Sequence, residues 1–126
     1  MESNIDNKNS MVQAVLRLKV IPENKDKAVE IINFILERIR VESGCASCHF
    51  YQDTASKGEF MLWQEWKTRA DLERHIRSEE FRHILALIEL ASEPPEIRFN
   101  TISKEDGVET IESVRGLKSN LHPRWG

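Results

Sequence analysis

Over residues 11–21 the chain alternates. Val12, Ala14, Leu16, Leu18 and Val20 fall on one side, and Gln13, Val15, Arg17 and Lys19 on the other. A period of two predicts a strand with one apolar face and one mixed face. Residues 22–26 break the rhythm and open a helix to about Glu42, in which Ala28, Ile31, Ile32, Ile35, Leu36 and Ile39 recur at helical spacing. Gly44 suits the position just past its end. Cys48, Phe50 and Tyr51 predict a second strand, residues 53–58 a turn region, and residues 59–67 a third strand. In that strand Phe60, Leu62, Gln64 and Trp66 share one face, with Met61, Trp63 and Glu65 on the other. Thr68 and Asp71 have capping-box spacing and start a short helix that restarts at Ser78, with Phe81, Ile84, Leu85, Ile88 and Ala91 on its apolar side. Pro94 and Pro95 stop it. Residues 96–103 alternate again, with Ile97, Phe99 and Thr101 aligned, and predict a fourth strand.

The order is β-α-β-β-α-β, which predicts an α+β fold of the ferredoxin-like kind: a four-stranded antiparallel sheet with helices on one face. The domain is expected over residues 11–103. Residues 1–10 are polar and expected to be disordered. Over residues 104–126, Val108, Ile111 and Val114 suggest a short helix ahead of a loose tail. The sheet face away from the helices carries Arg17, Lys19, His49, Tyr51, Trp63, Glu65 and Arg98, mixed with Val15 and Met61. Such a face is too aromatic for water and too polar for a monomer core. A homodimer through this face, two sheets enclosing a barrel-like interior, is therefore expected, with Arg17, His49, Tyr51, Trp63 and Glu65 at the interface.

Composition narrows the partners. The chain has 126 residues, 40% hydrophobic and 31% charged, with a formal net charge of −3, which fits one ordinary globular domain. It lacks the Lys/Arg stripe that a nucleic-acid surface needs. No apolar run approaches the roughly 20 residues of a membrane span. The N-terminal segment has no apolar region of a secretory signal, so a cytoplasmic location and reduced cysteines are expected.

Cys45-Ala46-Ser47-Cys48-His49 spells the C-x-x-C-H attachment motif of a c-type haem. Haem attachment normally follows export, and here both cysteines head into a strand. A zinc site needs about four ligands, and only His49 is near. A disulfide would have to close three strand steps, roughly 10 Å, against a limit of about 7 Å, unless Gly44 relaxes the start of the strand. The remaining reading has Cys48 buried as a small hydrophobe and Cys45 at the start of the strand. No metal is expected.

Several short strings then carry a resemblance. They are Glu42-Ser43-Gly44-Cys45 before the second strand, Phe50-Tyr51-Gln52-Asp53 ending it, and Gln64-Glu65-Trp66 in the third. Asp71-Leu72-Glu73-Arg74-His75 and Ser78-Glu79-Glu80-Phe81 follow in the second helix. In order and spacing the chain resembles the antibiotic biosynthesis monooxygenase (ABM) family of the dimeric α/β-barrel superfamily. The resemblance implies a pocket between the helix-covered face of the sheet and the second helix. It also implies oxidation of a small electron-rich aromatic substrate, such as a quinol or anthrone, by O₂ without metal, flavin or other cofactor. The substrate's own anion would donate the electron. Three residues match family positions or face the pocket. Trp66 would wall it, Gln64 would line it, and His75, with an ordinary pKa near neutrality, would promote deprotonation. Each has a purely structural alternative: a core aromatic, an amide capping an irregular backbone, a packed histidine. Two other functions stay open, a non-catalytic small-molecule binder and a haem-binding or haem-degrading protein. The latter branch uses an Asn on the first strand, and residues 12–20 contain none.

Overall fold

The computed structural model describes residues 10–117. Its strands are β1 (Val12–Lys19), β2 (Cys45–Gln52), β3 (Glu59–Trp66) and β4 (Glu96–Thr101). Its helices are α1 (Lys25–Arg40), α2 (Arg69–Arg77), α3 (Phe81–Glu89) and α4 (Val108–Arg115), with a 3₁₀ turn at Pro22–Asn24. The strands form one antiparallel sheet in the order β2-β3-β1-β4. This is the ferredoxin-like α+β fold expected from the alternation. Most of the polar N-terminal segment and of the C-terminal tail lies outside the described residues. Among the described residues no helix is long and apolar enough to cross a membrane.

Register explains which side chains meet. Ala14 faces Gln64 on β3 and Phe99 on β4, and Leu16 faces Leu62 and Ile97, so these residues share one side of the sheet. That side is the core side: Val12, Ala14, Leu16, Leu18, Phe60, Leu62 and Trp66 are buried there with Ala28, Ile32, Ile35 and Ile39 of α1, Leu72 of α2 and Ile84 and Leu87 of α3. Each fully buried aliphatic side chain contributes about 1.5–3 kcal/mol.

Two junctions place the elements around the site. Thr68 caps α2 by accepting from the Asp71 backbone N–H at 3.1 Å, and its hydroxyl donates to Asp71 Oδ2 at 2.9 Å. The Arg74 guanidinium bonds the same carboxyl, and with Thr68 it holds Asp71 below the usual carboxylate range. Asp71 in turn packs on Gly44, where φ is +86° and an added Cβ would lie 2.1 Å from Asp71 Cγ. Only glycine fits there, on both counts. The second junction is the break at residues 78–80. Ser78 is extended, and both its N–H and its hydroxyl donate to the His75 carbonyl, which ends α2. The helix restarts at Phe81 rather than at Ser78, because residues 78–80 are held by turn-type i→i−3 hydrogen bonds.

A bulge in β2 settles the cysteine motif. Cys45 opposes Trp66, Ser47 opposes Glu65 and Cys48 opposes Gln64, leaving Ala46 as the extra residue. Both cysteines therefore turn to the core side as free thiols, and His49, opposite Trp63, turns to the other. Burial pushes the Cys48 thiol up to about 12, with Cys45 adding to the effect. The three residues are split between two faces and cannot present one haem-attachment surface.

Candidate active site

The helix layer stops short of β4. Ile97 and Phe99 lie on the core side by register, yet they remain 48% and 43% exposed because α3 does not close over them. The space between is an apolar cleft of about 280 Å³. Its floor is Ala14, Leu16, Leu62 and Gln64, its walls are Phe81, Ile84, Leu85 and Ile88 of α3, and Ile97 and Phe99 close the β4 side. The cleft lies between the helix-covered sheet face and α3, with Ile76 of α2 also lining it.

Of the three residues singled out from the sequence, Gln64 lines this cleft. Its amide is tied down from behind: Trp66 Nε1–H donates to Gln64 Oε1 at 2.9 Å. The Gln64 side chain also engages the Cys48 thiol on the neighbouring strand. Trp66 does not wall the cleft as expected. It is fully buried and is not among the residues that line the cleft, which it meets only through its bond to Gln64.

His75 is buried as well, 2% exposed, its ring stacked on Trp66 with centroids 4.6 Å apart and planes at 27°. Phe81 meets it edge-on at 5.3 Å and lines the cleft as well, so this ring is the boundary between His75 and the cleft. His75 Nδ1 lies 2.9 Å from Glu42 Oε1. The opposite ring nitrogen, Nε2, is buried and meets no hydrogen-bond partner among the described residues. Burial lowers the His75 pKa below its ordinary value, and the Glu42 charge acts against that shift. Glu42 is the member of this cluster that pattern reading missed. It follows α1 in a turn, and nothing in its immediate sequence marks it as a partner of a residue 33 positions away.

The opposite face of the sheet carries the residues expected at a dimer interface. His49 stacks near Trp63 with centroids 6.3 Å apart, and Tyr51 lies 6.1 Å from His49. Ser47 donates to Glu65 at 3.0 Å, and Arg17 reaches Glu59 and Glu96 at 3.8 and 4.0 Å. In the single chain Arg17, His49 and Tyr51 are exposed, and Trp63 and Glu65 are half-buried. Among the described residues no group of three or more His, Cys, Asp or Glu is placed to hold a metal ion.

Comparison with known proteins places this architecture. The family model of the antibiotic biosynthesis monooxygenases matches residues 11–87. A conserved protein from Methanosarcina mazei Go1 is 25% identical, with a TM-score of 0.69 over 75% of this chain and 95% of that one. Rv0793 from Mycobacterium tuberculosis is 21% identical, with a TM-score of 0.70 over 78% of this chain and 100% of that one. An antibiotic biosynthesis monooxygenase of known structure is 20% identical, with a TM-score of 0.67 over 74% of this chain and 99% of that one. The uncharacterised Synechocystis protein sll1783 is 28% identical over 88 residues, which are 69% of this chain but 60% of that longer relative. With the family model spanning more than half of its length, the chain belongs to the antibiotic biosynthesis monooxygenase family.

Proposed function

We propose that this protein is a cofactor-independent monooxygenase that oxidises a quinol-like or polyphenolic aromatic substrate with O₂. The observation that carries the reading is the apolar cleft over Gln64, with Phe81 in its wall packed on His75, whose Nε2 has no hydrogen-bond partner among the described residues. A flat aromatic body fits an almost wholly apolar lining, and the Gln64 amide gives one polar point for orientation. His75 takes the substrate's hydroxyl proton on Nε2 once Phe81 turns aside. The resulting anion is electron-rich enough to pass an electron to O₂. One oxygen atom then enters the substrate and the other leaves as water, with the hydrogens and electrons drawn from the substrate itself. The working form is a homodimer joined through the face bearing Arg17, His49, Tyr51, Trp63 and Glu65.

The test is oxygen uptake with a panel of quinols and anthrones. We expect a rate above the uncatalysed one for at least one of them, falling by on the order of 100-fold in His75→Ala. No uptake across the panel, or an unchanged rate in that variant, overturns the proposal. A second reading, a non-catalytic binder of small apolar molecules, is favoured by the burial of Trp66 and His75 outside the cleft lining. It predicts thermal stabilisation by the same compounds without turnover.

A further inference from the structure

The pair formed by His75 and Glu42 does more than fill the core. Glu42 sits in the turn after α1, its backbone N–H donating to the Ile39 carbonyl. Two residues on, Gly44 presses against Asp71, and its carbonyl accepts from the Lys67 N–H at 2.8 Å. The turn carrying Glu42 is therefore clamped to the start of α2, the helix that carries His75. That clamp brings two residues 33 positions apart to 2.9 Å inside the protein.

We propose that Glu42 is the positioning residue of His75, holding the ring proton on Nδ1 and leaving the buried Nε2 as the unprotonated nitrogen. The proposal rests on the oxygenase reading above. With Glu42 ionised its oxygens only accept, and the 2.9 Å contact then places the ring proton on Nδ1. In a neutral imidazole the other nitrogen is then the base. When the substrate O–H bond breaks and an N–H bond forms at Nε2, a positive charge appears in the core. Among the described residues Glu42 is the charge that acts on it: Trp66 from β3 and Phe81 from α3 carry none, the Cys45 and Cys48 thiols of β2 are held protonated by burial and the Glu42 charge, and Asp71 and Arg74 on α2 bond each other. A buried imidazolium needs such a partner to form at all. The role is thus to fix the tautomer before the reaction and to stabilise the cation during it.

NMR of the histidine ring nitrogens tests this directly, in wild type, Glu42→Gln and Glu42→Ala, with circular dichroism to check that each variant folds. Wild type should carry the His75 proton on Nδ1 at neutral pH. In Glu42→Gln, which keeps the volume but loses the charge, the His75 titration midpoint should shift to lower pH. The acid limb of the oxygen-uptake profile should move with it, and kcat should fall on the order of 100-fold with KM little changed. A Glu42 that only packs and ion-pairs would shift the titration in Glu42→Gln but leave kcat at the wild-type value, which would also overturn the proposal. A proton on Nε2 in wild type, or an unmoved midpoint in Glu42→Gln, overturns the proposal. If wild type takes up no oxygen, the oxygenase reading fails, and the tautomer measurement still decides whether Glu42 positions His75.

Discussion

His75 illustrates how much a single side chain can be read and where reading stops. Its helical spacing with Leu72 turns it inward, and the structure buries it against Trp66. What periodicity does not contain is depth: Gln64 and Trp66 share a strand face, yet one lines the cleft and the other is fully buried and does not. Glu42 was illegible for a related reason, since its partner is set by a glycine turn docking on a distant helix rather than by local spacing. The buried imidazole also makes a stability prediction. Its pKa is lowered in the folded state, mainly by burial, so the unfolded chain binds its proton first as the pH falls. The contribution is intact above the unfolded value of about 6.5 and is lost as the pH drops below it. Urea unfolding at a series of pH values between 7.5 and 5 should show wild type losing stability over that window, with a flatter profile in His75→Gln. Parallel profiles would contradict it.

Among the elements, the strands were the most legible because alternation and register carry the same information. The paired residues on β1, β3 and β4 fall on the faces that the hydrophobic pattern assigns them. The cap at Thr68 was legible as well, although the Asp71 carboxylate accepts from the Thr68 hydroxyl rather than from its backbone N–H. The bulge at residues 45–47 was not. It inserts a residue without leaving a Gly or Pro, and it puts both cysteines on the core side. Nor could pattern alone show that α3 leaves β4 half-covered, since Ile97 and Phe99 look like any apolar strand face. The α1–β2 turn gives the prediction at this scale. Gly44→Ala combines a left-handed backbone with a collision against Asp71, and should cost more than about 1 kcal/mol in denaturant unfolding. It should also disturb the Glu42–His75 contact, visible as a changed His75 ring resonance. A variant as stable as wild type would show that the turn is not the clamp described.

At the scale of the whole molecule, the outer sheet face and the inner cleft lie on opposite sides of the sheet. The outer face gathers His49, Tyr51 and Trp63 beside Arg17 and Glu65. We expect sedimentation to give a dimer, and Trp63→Asp, which sets a charge in the middle of that face, to shift it to monomer while leaving the secondary structure in place. A wild-type monomer, or a Trp63→Asp dimer, would remove the sheet-to-sheet assembly. Oxygenation in the cleft is tested by turnover of an anthrone or quinol under isotopically heavy O₂, with mass spectrometry of the product. One heavy oxygen atom per product molecule is expected, with the other in water, at a rate that collapses in His75→Ala. Product without the label, or formation no faster than in the protein's absence, would contradict it.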